Sequence, residues 1–333
     1  MNKNHGTFGL GKQTAAGSPA APTVTVLASA DSEGIDASTS TDSVSLTNGK
    51  RDTTAGRYIS GSEATAKLTT LAFADFIGMA LFGALGSDSV SGESAPYTHD
   101  IKMGESLPYL TFVQQVGASD AALQQLEGCK VDSLSISAEG TKPPSVEIAL
   151  RGCAASWLAA KAWNGPAFDA SKGWFKTAGA EVLFSPTTNE PAAVPPSIDL
   201  SSLSFKVENA VEASVPLGQI APKRQTEKSA TVTVELSGTT DSTEMYRLVK
   251  TGSSSGTSVA DSIVVGSLQV KFKHTVHEDW SLTVKMGAIP WKVNAMGVST
   301  DGGPFDLTLS TDGAISVGGT SIEAILVNDT ASY

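Results

Sequence analysis

The residues best suited to chemistry stand in one short run, His274-Thr-Val-His277-Glu278-Asp279. Imidazoles and carboxylates are the donor types of a metal site, provided they converge on one point. Residues three apart on a strand point to opposite faces, so the spacing predicts that the two rings diverge and that the run is a polar end to a hairpin. Four histidines occur, at positions 5, 99, 274 and 277, and none stands near a G-x-S-x-G nucleophile motif. Gly9-Leu-Gly11, Gly302-Gly303 and Gly318-Gly319 lack the spacing of a phosphate-binding loop, and no strand–helix setting supports a dinucleotide fingerprint. Carboxylate pairs have no apolar pocket signal beside them and read as solvated surface. Cys129 and Cys153 flank a predicted hairpin, roughly opposite each other across its ladder. A disulfide is one alternative there; cytosolic thiols usually stay reduced, which favours two small buried hydrophobes. The sequence thus predicts no catalytic residue, no cofactor and no metal site, and a chain that is not an enzyme.

The stretch that follows Cys129 appears twice. Lys130-Val-Asp-Ser-Leu-Ser-Ile-Ser-Ala-Glu-Gly140 returns 162 residues later as Lys292-Val-Asn-Ala-Met-Gly-Val-Ser-Thr-Asp-Gly302. Leu134, Ile136 and Ala138 alternate with polar residues, and Met296 and Val298 keep that phase, the two-residue period of a half-buried strand. Val131 and Val293 fall out of phase, which predicts a bulge or a later strand start. Each copy runs through Gly and Pro into a second alternating stretch, Val146–Leu150 or Phe305–Leu309, so each reads as a β-hairpin. Upstream, Ala64–Leu68 matches Ala230–Val234 at an offset of 166, with Asp75, Met79 and Gly86 falling on Asp241, Met245 and Gly252. The shared order predicts a tandem duplication of one β-rich domain. Two units are too few for a solenoid or propeller.

A chain of 333 residues with 40% hydrophobic content can bury packed cores, and few aromatics with much Gly, Ser, Thr and Ala suit a β protein with long loops. The net charge of −11 offers no electrostatic grip on nucleic acid or on an anionic membrane. No signal peptide is visible, and the most apolar run, Leu71 to Leu85, is shorter than a bilayer span of about 20 residues, so cytosolic synthesis is expected.

The expected organisation is an extended arm at 1–50, a first domain at 51–155, a Trp/Pro-rich connector at 156–196 and a second domain at 197–333. The arm is expected to be poorly ordered alone, with Thr23–Leu27 its one strand. Thr70 to Leu85 reads as a helix apolar nearly all round, with Thr240 to Val249 its more polar counterpart. Ala121 to Leu126 reads as a helical turn or loop, Trp157 to Trp163 as a short helix, and Val211 to Thr226 as loop.

The arm Gly6-Thr-Phe-Gly-Leu-Gly-Lys-Gln-Thr-Ala-Ala-Gly-Ser-Pro-Ala20, the stretch Ile59-Ser-Gly-Ser-Glu63, the helix ending Phe82-Gly-Ala-Leu-Gly86, Tyr97-Thr-His99, Ser106-Leu-Pro-Tyr-Leu110 and the strand Val131 to Gly140 come in an order that resembles the tail tube (major tail) proteins of long-tailed phages. The likeness covers most of the first half and, more loosely, Ser229–Val249 and Val293–Leu309. It implies a mainly β fold: two tandem tube-like β-sandwich or barrel domains, each with a flanking helix, and an N-terminal arm.

It further implies a virion structural protein, synthesised and assembled in the host cytoplasm, whose stacked rings form the tail tube and the conduit for genome ejection. Family rings present six domains, so a duplicated chain implies a homotrimeric, pseudo-hexameric ring, a homohexamer being the alternative. The implied partners are further copies of itself, a tape measure inside the lumen, a tail terminator and a distal tail protein. DNA would pass without specific binding, and no membrane is involved. Glu63, Asp132, Glu147 and Glu235 are candidates to line an acidic lumen. The alternative is a tandem immunoglobulin-like adhesion or decoration protein, against which the buried helix argues; a β-sandwich carbohydrate-active enzyme is a further rival.

Overall fold

The structure is a computed structural model that describes residues 6–29, 32–45, 54–117, 122–158, 163–195, 197–297 and 303–333. The fold is mainly β, with two α-helices among the described residues. The first strands are β1 (Gly6–Lys12), β2 (Val24–Leu27), β3 (Gly34–Ser45) and β4 (Thr54–Leu71), followed by helix α1 (Ala74–Leu85). Next come β5 (Gly86–Ser91), β6 (Tyr97–Met103), β7 (Leu110–Val116), β8 (Ala122–Glu139), β9 (Ser145–Gly152) and β10 (Ala154–Trp157). Then β11 (Phe175–Ser185), β12 (Ala192–Ala193), β13 (Ile198–Glu208), β14 (Glu212–Ser214), β15 (Arg224–Thr226) and β16 (Thr231–Thr240) lead to helix α2 (Glu244–Thr251). The chain ends with β17 (Val265–His274), β18 (Ser281–Pro290), β19 (Lys292–Val293), β20 (Phe305–Ser310) and β21 (Glu323–Asn328).

Eight strands run side by side in the order β3-β4-β9-β8-β13-β16-β20-β19, every neighbour antiparallel. The first half of β8 leaves this row and pairs instead with β7 and β10, and β7 carries β1 and β2 beyond it. Gly128, at φ +57, lies where β8 changes partners, a left-handed conformation that costs other residues more. The second sheet has the order β12-β11-β17-β18-β21-β6-β5. Along each central strand alternate side chains are buried, as period two requires. Ala64, Ala66 and Leu68, then Val146, Ile148 and Leu150, then Leu203, Phe205 and Val207 share one core with Val270, Phe272, Leu282 and Val284 of the second sheet.

Helix α1 is buried at every position except Asp75, which accepts from Lys172 at 2.7 Å. Its all-round apolar sequence matches a helix held inside the protein rather than on its surface. It ends at Gly86, φ +93, whose N–H donates to the Phe82 carbonyl.

Several expectations are corrected. The N-terminal segment is not a loose arm: β1 lies between β7 and β2, with Phe8 and Leu10 buried. Its glycines hid the strand, yet Gly9 and Gly11 are where Pro22 and the Ala21 carbonyl approach too closely for a Cβ. Thr70 and Leu71 belong to β4, and α1 starts only at Ala74, because strand pairing to β9 continues through Leu71. The described part of 121–126 is strand, since Leu123 to Leu126 pair with β7. Trp157 lies in β10 opposite Gln124, and most of the rest of that expected helix lies outside the described residues. The loop at 211–226 contains the small hairpin β14–β15. The segment 156–196 contributes β11 and β12 to the second sheet. The expected bulge is present between Val131 and Ser133.

Candidate assembly interface

Two rungs of residues run across the eight-stranded row in the same way. In the first, Ile35 opposes Ala66, Ala66 opposes Leu150, and Leu150 opposes Val131. In the second, Leu203 opposes Leu236, Leu236 opposes Leu309, and Leu309 opposes Val293. The row is therefore two sets of four strands, β3-β4-β9-β8 and β13-β16-β20-β19, in matching register. They meet where β8 pairs with β13, Leu134 opposing Val207, Ile136 opposing Phe205 and Ala138 opposing Leu203. All six side chains at this junction are buried.

Among the described residues, the outer ends of the row repeat these edges without a partner strand. Past Asp36, β3 is exposed through Ser45 and bonds β4 on one side only. At the other end, Lys292 and Val293 pair with β20, while Asn294 to Gly297, counterparts of Asp132 to Ser135, have no strand on their outer side among the described residues. Met296 is half exposed, whereas its counterpart Leu134 is buried. An unpaired row of N–H and C=O groups is a template for another strand.

The sheet face turned away from the core is polar. Glu63, Glu147 and Glu235 lie on it; Glu63 pairs with Arg151 at 3.3 Å and Glu147 with Lys67 at 3.2 Å. Asp132 does not join them: it sits at the bulge, and its carboxylate accepts from the Val211 N–H at 2.8 Å. Another ion pair is internal. Lys130, nearly buried, pairs with Glu227 and lies 4.6 Å above the Tyr109 ring. Burial acts to raise the Glu227 carboxyl, but Lys130, its own N–H and the Leu107 N–H outweigh this and hold it below the usual range.

The His274 run does not behave as its spacing predicts. β17 ends at His274, so a turn rather than a strand carries the next residues, and the rings of His274 and His277 stack at 5.5 Å with Trp280 beside both. It is a polar hairpin end, and among the described residues no group of three His, Cys, Asp or Glu is placed to hold a metal. The Nδ1 of buried His274 accepts from the Val276 and His277 N–H groups, so the ring is held neutral, and burial with His277 nearby lowers its pKa to about 4. A base with a lowered folded-state pKa contributes stability that is complete above 6.5 and lost as pH falls towards 4. Acid unfolding is expected to weaken the protein by up to about 3 kcal/mol across that window, and His274→Asn to flatten the slope in denaturant titrations at pH 4 to 7.

His99 is opposite in sign. It is fully buried, with Nδ1 3.0 Å from Asp88 and Nε2 2.8 Å from the Thr330 carbonyl. Burial pulls its pKa down, but these two partners raise it overall.

Cys129 and Cys153 are both free, and the buried Cys129 thiol donates to the Leu110 carbonyl at 2.9 Å. Burial pushes both thiols up, away from the reactive thiolate. Among the described residues no helix is long and apolar enough to cross a membrane. Neither the protein-family models nor the curated proteins compared with the chain give a match.

Proposed function

We propose that the chain is a self-assembling structural subunit that closes into rings by joining sheet edges. Within that class it acts as a tail tube protein, its rings stacking into the conduit of a phage tail. The observation that carries the reading is the β8–β13 junction, an edge-to-edge joint already made once inside the chain and left open at both ends of the row. A duplicated tube-like domain accounts for the paired rungs, and three chains then supply six domains. Closure leaves no exposed edge, the solution that barrels use. Repetition of a heterologous contact closes a ring when its rotation permits. The ring's inner face would be the polar face that carries Glu63, Glu147 and Glu235 among serines and threonines, where Lys67, Arg151 and Lys206 are each paired with a carboxylate and so grip phosphates less. Glu63 and Glu147 are paired with cations, so the repulsive share falls mainly to unpaired carboxylates such as Glu235.

The register of the missing joint is set by the one present. Leu134 opposes Val207 inside the chain. Carried along the two rungs, that pair becomes Met296 of one copy opposite Thr39 of the next. The double variant Thr39→Cys with Met296→Cys is expected to form a disulfide between copies under mild oxidation, since facing residues in a ladder lie about 5.5 Å apart. Covalent trimers on a denaturing gel, and rings with a central hole by negative-stain microscopy, are the expected results. A persistent monomer would move the reading to a tandem adhesion module.

A further inference from the structure

An open groove of about 620 Å³ lies at the end of the second set of strands. Val249, Lys250, Ile263, Trp291, Lys292 and Val293 are among the residues that line it. The rungs and the capping glycines of the two helices give three of these lining residues counterparts in the first half. Lys250 stands two residues before Gly252 as Ala84 stands two before Gly86, and Lys292 and Val293 match Lys130 and Val131.

In the first half this place is filled. The chain leaves β13 and turns across it: the Asn209 side-chain amide donates to the Ala84 and Val131 carbonyls, each at 3.0 Å. Val211 is buried there, and Glu227 closes on Lys130. The small hairpin β14–β15 belongs to this covering segment, and Gln225 from it donates to the Gly152 carbonyl at 2.6 Å.

The element that corresponds to β13 is β3. The chain continues from it into the outer part of the β3–β4 hairpin, whose described stems are residues 41–45 and 54–60. In these stems Val44, Tyr58 and Ile59 are exposed, and none of the three packs into this chain's core. The groove is apolar on its open side as well, with Val259 and Ile263 each 75% exposed. The two apolar surfaces lie at opposite ends of the row, so one chain cannot join them as it joins β13 to β8.

We propose that the β3–β4 hairpin arm of a second copy fills this groove, covering Val259, Ile263 and Trp291 as residues 209–227 cover the first half. The inference rests on the reading that copies join through these edges, and it adds that the joint is locked by a hairpin arm as well as by a strand ladder. It assigns the exposed apolar residues at both ends to one contact between copies, which removes two aggregation liabilities together.

The test uses the full chain with a photo-crosslinking amino acid at Ile263, an exposed position, in a background carrying Thr39→Cys and Met296→Cys. Mixed isotopically light and heavy copies distinguish links within a chain from links between chains. The expected result is a crosslink from residue 263 to residues 41–45 or 54–60 of another copy, formed together with the disulfide. The disulfide without that crosslink overturns the arm and leaves edge joining intact. Absence of both overturns the arm and the edge reading together. As a second measurement, Ile263→Asp is expected to weaken association on the order of tenfold, with the monomer's unfolding midpoint unchanged; an unchanged association would also overturn it.

Discussion

Ala37→Pro is expected to abolish ring formation and leave the monomer folded. The reason lies in which way the backbone of β3 points. The Ile35 N–H donates to the Gln114 side-chain oxygen at 2.7 Å, not to β4. Two residues on, the Ala37 N–H points to the same side, away from β4 and into the open edge. Proline there removes a donor that only a neighbouring copy would use, and edge positions tolerate its ring. The expected cost to the monomer is at most about 1 kcal/mol. Asp36→Pro is the control, because its N–H is on the β4 side; it is expected to destabilise the fold itself. Light scattering and a denaturant midpoint on each variant separate the two effects. Rings that persist in the Ala37→Pro protein would exclude β3 as the joining edge.

The largest effect on stability is expected from Glu227→Ala. The substitution strands the Lys130 ammonium in a nearly buried site whose remaining partner is the Tyr109 ring. Breaking one side of a buried pair costs about 3–5 kcal/mol, well above the value of a surface pair. The Leu107 N–H loses its acceptor too. Replacing both partners, Lys130→Met with Glu227→Met, is expected to recover most of the loss, because the desolvation penalty disappears with the charge. Urea denaturation of the three variants checks this, and a double variant no better than Glu227→Ala would refute it. The pH sign is set by the lowered carboxyl: the pair's contribution is complete above about 4.5 and is lost as pH falls through the folded-state value.

Some of the architecture was legible in the residues and some was not. The first hairpin was, and part of the second: Val131 meets Leu150 and Val293 meets Leu309, but the second copy's strand stops at Val293, with Met296 exposed and Val298 outside the described residues. The upstream match was four residues out. Ala66 corresponds to Leu236 in the two rungs, not to Val232, while the capping glycines Gly86 and Gly252 still match. Both hold because α2 has eight residues and α1 twelve, so the missing turn of helix absorbs the difference. Sequence alone cannot locate such a deletion when the strands are runs of Ala, Thr and Val. The stacking of His274 on His277 was missed because both were read as lying on one strand, whereas β17 ends at His274.

By itself the sequence determined the β class, the half-buried strands and the buried helix, since alternation and apolar periodicity are local properties of the chain. Only the tertiary structure decided which edges are used and which are left open. Pairing partners are non-local: β8 finds β13 from the other half, and β21, near the end, joins β6. Nothing in Gly34–Ser45 distinguishes an edge that pairs on one side from one that pairs on both, because its residues are the same in either case. The open groove beside Lys292 is likewise set by what fails to cover it, and that depends on where residues 209–227 travel in space.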